Sequence, residues 1–171
     1  MENKTYFFRP DNKVLKQGFF MTDAEGNTVY ESKVLKQSLI GPAKVEFINH
    51  VSGKTEEHQV GKVGTTEVSG ALTEFFSVKS SFKFDGKKIW DYLHGMGVRI
   101  DSAMSGGRLG MTYTVSLRGE QIATLSSASP KGGKAFITSP YHYDVTTSEE
   151  YLDLAFLTVY SIARTDQTFY D

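Results

Sequence analysis

The hydrophobic pattern near the C-terminus predicts one helix that is apolar on every side. In residues 151–163, projected at 100° per residue, Asp153 and Ser161 are the main polar interruptions. A helix without a polar face is either buried on all sides or placed in a membrane. A bilayer crossing needs about 20 apolar residues, so this stretch is too short to span one. We therefore expect a helix enclosed within the protein core.

The residues around the start of this helix are acidic and polar. Thr147 and Glu150 have the spacing of a capping box, and Glu149 adds negative charge where a helix N-terminus favours it. A buried Asp153 would be costly without a partner. For Asp153 and the nearby Asp144 we therefore expect structural partners rather than a catalytic role.

Most of the chain before this helix has the pattern of short strands joined by turns. Residues 44–51 and 111–117 alternate apolar and polar side chains, as half-buried strands do. Further strands are predicted at 17–22, 28–35, 98–104, 121–127, 135–138 and 141–145, with a weak or edge strand at 55–63 and a loop at 61–70. About nine to twelve short strands at this spacing predict a mainly β protein. A closed barrel would leave no sheet edge, and the apolar helix would fill its interior.

The dipeptide Asp85-Gly86 predicts a two-residue hairpin turn between strands at 75–84 and 87–93. A turn of this length fixes the register of the two strands. On the outer face it would pair Lys83 with Lys88, Ser81 with Trp90, and Lys79 with Tyr92. The hairpin therefore predicts a basic and aromatic outer patch.

Composition narrows the possible functions. The 171 residues suggest a single domain, 1–171, and a net charge of −1 gives no reason to expect a nucleic acid partner. The absence of cysteine excludes disulfides, thiolate metal sites and a cysteine nucleophile. The first residues lack a signal-peptide pattern, so we expect a cytoplasmic protein.

The sequence also lacks the common motifs of enzyme active sites. The phosphate-binding, zinc-protease and serine-hydrolase motifs are missing from the sequence. The four histidines are scattered at His50, His58, His94 and His142. We expect no metal, no cofactor and no catalytic residues.

Three segments resemble the tubby C-terminal-like superfamily, which includes the LURP-one-related proteins and the phospholipid scramblases. They are the Asp-x-x-Gly-x-x-hydrophobic-Tyr pattern from Asp23 to Tyr30, the late hairpin at 119–125, and the apolar helix after Tyr143-Asp144-Val145. The resemblance implies a closed antiparallel barrel of twelve strands wrapped around a central C-terminal helix. The chain lacks the cysteine cluster and the acidic calcium loop of scramblases, so the resemblance does not extend to scramblase activity.

The outer patch and the resemblance together suggest a function. Lysine binds phosphate as a point charge, tryptophan and tyrosine suit a membrane interface, and tubby domains bind phosphoinositides. We therefore expect weak binding of anionic lipid head groups, with the protein peripheral to a membrane. The candidate residues are Lys79, Lys83, Lys88, Trp90 and Tyr92, with a second basic site at Lys131 and Lys134. The alternatives are a solvated outer face without a ligand, a protein-interaction scaffold, and an enzyme with a cleft of His and Asp residues.

Overall fold

The computed structural model describes residues 2–11, 18–36, 43–69, 77–85, 87–105, 110–127 and 142–170. For 61–69, 77–85, 87, 103–105, 110 and 165–170 it describes the backbone alone. The elements in chain order are β1 (Lys4–Pro10), β2 (Phe19–Thr22), β3 (Thr28–Lys36), β4 (Ala43–Asn49), β5 (Thr55–Ser69), β6 (Ser77–Asp85), α1 (Lys87–Gly95), β7 (Val98–Ser105), β8 (Gly110–Leu117), β9 (Glu120–Ser127), β10 (Tyr143–Thr147), a 3-10 turn (Glu149–Tyr151) and α2 (Leu152–Tyr170).

The strands form an antiparallel sheet that does not close on itself. Nine strands make one sheet, and β6 extends it by pairing with β5, in the order β6-β5-β4-β3-β2-β1-β10-β9-β8-β7. Over the described residues, β6 and β7 end this order and do not pair with each other. The mainly β class with a C-terminal helix is confirmed, whereas the expected closed barrel of about twelve strands is not found.

The strands form because apolar side chains alternate along them and share one buried face. In β4, Ala43, Val45 and Phe47 are fully buried, while Lys44, between the first two of them in sequence, is exposed. In β1, Tyr6 and Phe8 are buried in the same alternating way, although the sequence had not predicted this strand. The shared face encloses the core.

The helix α2 lies in that core, as predicted. Residues 155–161 are buried without a break, and two helical turns cover every side of a helix. Phe156 is within aromatic contact of Phe8, Tyr30 and Phe47, at centroid distances of 5.3, 4.3 and 6.1 Å. These rings come from β1, β3 and β4, so the sheet curves around the helix.

The N-terminal end of α2 differs from the predicted capping box. The Thr147 hydroxyl donates a 2.8 Å hydrogen bond to the Ile122 carbonyl in β9, and Ser148 precedes the 3-10 turn without a side-chain cap. Thr147 is the last residue of β10, so its hydroxyl lies against the neighbouring strand and not against the helix. The helix start is held instead by Asp153, which accepts a 3.0 Å hydrogen bond from Asn49 Nδ2.

The strand β5 is longer than its composition suggested. The predicted weak or edge strand at 55–63 and residues 61–69 of the predicted loop form one strand of 15 residues, and the last residue of that loop lies outside the described residues. Residues 55–60 pair with β4 and residues 61–69 pair with β6, so each part has a partner strand and a polar, glycine-rich sequence is held in the sheet despite its low strand propensity.

An arginine is buried inside the sheet near the far end of α2. Arg164 is 1% exposed, and its Nε donates a 3.1 Å hydrogen bond to the Tyr160 hydroxyl. Its guanidinium lies 4.7 Å from the centre of the Phe19 ring. Hydrogen bonding and aromatic contact offset part of the cost of burying this charge.

Candidate functional site

The helix α1 lies across the gap between the two ends of the sheet. It contacts β5 near one end, β7 at the other end, and α2 in the core. Ile89 and Leu93 are one helical turn apart and both are buried, so they attach α1 to the core by one face. The helix covers part of the core at the place where a closed barrel would have paired β6 with β7.

The predicted hairpin at Asp85-Gly86 is wrong, because the residues after it are helical. The strand β6 pairs with β5, in a register that places Lys83 opposite Val63, Ser81 opposite Thr65 and Lys79 opposite Glu67. The pairs predicted from the turn therefore do not form: Lys83 with Lys88, Ser81 with Trp90, and Lys79 with Tyr92. The buried spacing of Ile89 and Leu93 fits a helix, and contact with α2 stabilises it.

The structure divides the predicted basic and aromatic patch between separate elements. Lys88 and Tyr92 are one turn apart on the same side of α1, and both are exposed, Tyr92 at 42%. We call this side the Lys88–Tyr92 flank. Trp90 is half-buried and lies about 200° around the helix from Tyr92, with its ring 4.2 Å from that of His94. Lys79 and Lys83 belong to β6, and Lys131 and Lys134 lie outside the described residues.

The Lys88–Tyr92 flank contacts a histidine of β5 that lies beside a glutamate of the same strand. The Tyr92 ring lies 4.8 Å from the imidazole of His58, whose Nε2 is 3.7 Å from Glu56 Oε2. The neighbouring His58 side chain holds the pKa of the Glu56 carboxyl below its usual value, against the opposing effect of burial. At 3.7 Å the contact is longer than a direct hydrogen bond, and His58 Nε2 has no hydrogen-bond partner among the described residues.

Two arginines that sequence reasoning did not select lie at the C-terminal end of α1. Arg99 Nη1 donates hydrogen bonds to the carbonyls of His94 and Val98, at 3.3 and 2.9 Å. The Arg118 backbone N–H donates to the Gly97 carbonyl at 3.0 Å. Positive charge is favourable beside the free carbonyls of a helix end, so Arg99 stabilises α1.

The other titratable residues considered from sequence have separate structural partners. His50 Nε2 is 3.5 Å from Glu31, and Asp144 is 3.3 Å from Arg9 Nη2. The predicted structural partners of Asp144 and Asp153 are thus confirmed. In the part of the chain that the structure describes, no three His, Asp or Glu side chains converge as metal ligands would.

A cavity of about 470 Å³ opens at the end of the sheet where α2 begins. Lys4, Tyr6, Asp23 and Glu149 contribute to its wall, and sequence reasoning selected none of them for function. Lys4 and Glu149 are 145 residues apart in sequence. The pairing of β1 with β10 brings them together, since Lys4 is opposite Thr147. No local sequence motif could have indicated this site.

Comparison with known proteins does not assign this chain to a family. No family model, curated protein or solved structure matches this chain. Neither helix, over the ranges described above, combines the length and the hydropathy of a membrane-spanning segment.

Proposed function

We propose that the protein is a non-catalytic binding domain whose Lys88–Tyr92 flank binds anionic phospholipid head groups. The observation that carries this proposal is the exposure of Lys88 and Tyr92 side by side on a surface helix. Lys88 lies in the first turn of α1, which contains no acidic residue. A helix N-terminus carries a partial positive charge, which adds to that of the lysine.

The aromatic residue extends the same surface. A tyrosine has an apolar ring and a polar hydroxyl, a combination that suits the boundary between lipid and water. The half-buried position of Trp90 changes the role expected for it, because its contacts with the core and with His94 limit insertion into a membrane. Tyr92 replaces Trp90 as the aromatic residue that would meet the lipid.

The proposed binding is weak. One lysine near an anionic membrane contributes about 1 kcal/mol, and Lys79 and Lys83 on the neighbouring β6 would raise the total to about 3 kcal/mol. This corresponds to millimolar affinity or weaker. The tubby-like resemblance supports the same ligand class, and membership of that superfamily is itself part of the proposal.

The alternative of a protein-interaction scaffold has less support. The large apolar side chains found exposed in the described ranges are Leu35, Val51, Tyr92 and Met96. They belong to β3, to the turn between β4 and β5, and to the region of α1. Leu35 and Val51 lie singly, and Tyr92 and Met96 are a pair one helical turn apart. A docking surface requires a larger contiguous patch. A cytoplasmic protein peripheral to a membrane remains the proposed setting.

The test is co-sedimentation with phosphatidylcholine vesicles that contain or lack about 30% phosphatidylserine, at low and physiological salt. We expect a preference for the anionic vesicles that weakens with salt and is reduced by Lys88→Glu. Lys36→Glu is the matched control, because Lys36 is exposed on β3 and its replacement by glutamate changes the net charge by the same amount as Lys88→Glu. Equal reductions by both variants, or no preference for anionic vesicles, would contradict the proposal.

A further inference from the structure

The cavity at the start of α2 has walls from five parts of the chain. These are β1, the turn between β2 and β3, the start of β3, the turn between β4 and β5, and the 3-10 turn that precedes α2. The cavity lies at the end of the sheet near Lys4 and Thr147, where β1 and β10 pair. It is therefore separate from the Lys88–Tyr92 flank, which rests on β5.

The charge of this cavity is predominantly negative. Its wall contains three carboxylates, Asp23, Glu25 and Glu149, and one ammonium group, Lys4. Lys4 Nζ is 3.1 Å from Glu149 Oε1, and the two side chains are 54% and 43% exposed. The lysine thus neutralises one of the three carboxylates through a pair that water can reach, and such pairs are weak and exchangeable.

One of the acidic groups is held in place by the backbone. Asp23 Oδ1 accepts hydrogen bonds from the N–H groups of Glu25 and Asn27, at 3.0 and 2.8 Å. These bonds, with that of Asn27 first, lower the pKa of the Asp23 carboxyl, so this negative charge persists at mildly acid pH. The cavity wall consequently keeps a fixed negative charge in the turn between β2 and β3.

A buried tyrosine lines the same cavity. Tyr6 is 2% exposed and contributes to the cavity wall. Its hydroxyl has no hydrogen-bond partner among the residues that the structure describes. Burial, and next the charge of Glu149, raise the pKa of Tyr6, so the hydroxyl stays protonated and its oxygen can accept a hydrogen bond. Glu149, Lys4 and Asp23, whose charges act on the pKa of Tyr6, all line the same cavity.

The remaining wall includes apolar side chains. Val29 and Val51 both line the cavity, and Val51 is 48% exposed. An exposed valine beside carboxylates suits a ligand that carries a short hydrocarbon chain next to a positive charge. The wall therefore offers negative charge, a hydrogen-bond acceptor and apolar contact within one cavity.

We infer that this cavity binds an alkylammonium group. The ligand ammonium replaces the Lys4 ammonium at Glu149 and donates a hydrogen bond to the Tyr6 hydroxyl oxygen, while its alkyl chain contacts Val29 and Val51. The contact between Lys4 and Glu149 already shows this chemistry within the protein. The inference does not depend on lipid binding by α1, because it concerns a different site and the opposite ligand charge.

The test uses butylammonium chloride as the probe and follows backbone amide NMR signals of the cavity residues, with sodium butyrate and sodium chloride as references. We expect saturable shifts with butylammonium alone. Glu149→Gln should weaken binding by up to about fivefold, the range for one exposed ion pair, and Lys4→Ala should strengthen it by a similar factor. Glu150→Gln is the matched control, since Glu150 is exposed and does not line the cavity.

Tyr6→Phe tests the contribution of the hydroxyl to binding separately from that of the ring. It keeps the packing and removes the acceptor, so we expect weaker butylammonium binding with an unchanged amide spectrum away from the cavity. Weaker binding in Lys4→Ala than in the parent would overturn the inference, because it would show that the lysine attracts the ligand. Equal effects of Glu149→Gln and Glu150→Gln, tighter binding of butyrate, or no saturable shifts up to about 50 mM would also overturn it.

Discussion

The ring of Phe156 in α2 stacks on the ring of Tyr30 in β3, with centroids 4.3 Å apart and planes 22° apart. Burial, and next the charge of Asp153, raise the pKa of the Tyr30 hydroxyl. The ring of Tyr30 therefore contacts α2 at Phe156, and its hydroxyl is influenced by the charge of Asp153 in the first turn of the same helix. Both relationships join β3 to the N-terminal part of α2.

A charge at Leu157 tests the enclosure of α2. Leu157 is 1% exposed, so Leu157→Asp buries a carboxylate at a position that the native protein fills with an apolar side chain. We expect a loss of several kcal/mol from a total stability of about 5–15, enough to prevent folding. Leu35→Asp is the matched control, since Leu35 is 42% exposed and should tolerate the charge. Denaturant unfolding with equal midpoints for Leu157→Asp and the parent would show that α2 is not enclosed.

The hydrogen bond between Asn49 and Asp153 can be tested by exchanging the two residues. Asn49 is 3% exposed, donates to Asp153 and accepts hydrogen bonds from the N–H groups of Val51 and Ser52. Asn49→Asp keeps the acceptor and places two carboxylates together, so we expect a loss of about 2–3 kcal/mol. The double variant Asn49→Asp/Asp153→Asn restores a donor and should recover more than half of that loss in urea unfolding. Additive losses would exclude a direct coupling.

The lowered pKa of Glu56 predicts a pH-dependent contribution to stability. A carboxyl whose pKa is lower in the folded state stabilises the fold above its unfolded pKa, about 4.3, and loses that effect as the pH falls through the folded value. We therefore expect the parent to exceed Glu56→Gln in stability by up to about 1 kcal/mol at pH 6. The difference should shrink from about pH 5 downward in urea unfolding. A difference that stays constant down to pH 3 would rule out this linkage.

The two glycines at the end of α1 should respond differently to alanine. Gly97 has φ of +96°, and an added Cβ would lie 3.0 Å from Arg118 Cγ, so Gly97→Ala should destabilise by about 1–2 kcal/mol. Gly95 is the last helical residue, and an added Cβ would meet nothing within 4 Å among the described residues. Gly95→Ala should be neutral or stabilising by up to about 1 kcal/mol. Thermal unfolding distinguishes the two variants. Equal changes in melting temperature for Gly97→Ala and Gly95→Ala would contradict a helix that ends at Gly95.

The sequence predicted α2 and most strands because their patterns are local. An apolar run without a polar face had to be buried, and alternation in strands such as β4 and β8 identified their inward faces. The segment from Ile89 to Leu93 was ambiguous, because these two apolar residues are spaced both as alternate strand residues and as one helical turn. Asp85-Gly86 favoured the hairpin, whereas contact with α2, β5 and β7 stabilises the helix.

The candidate sites were less predictable than the fold. Lys88 and Tyr92 were selected from a hairpin that does not form, yet helical spacing still places them together. The cavity at the start of α2 depends on the pairing of β1 with β10, which joins opposite ends of the chain. Long-range pairing of this kind leaves no periodic pattern in the sequence, so Lys4, Tyr6 and Glu149 could not be grouped in advance.

The central claim is that residues 87–95 form a surface helix, which covers the core between the ends of the sheet and presents Lys88 and Tyr92. The most direct measurement is the set of backbone Cα chemical shifts for these residues, with nuclear Overhauser contacts from the side chains of Ile89 and Leu93. We predict helical shifts throughout 87–95 and contacts from Ile89 and Leu93 to α2. Strand-like shifts, with cross-strand contacts between Lys83 and Lys88, would contradict the account.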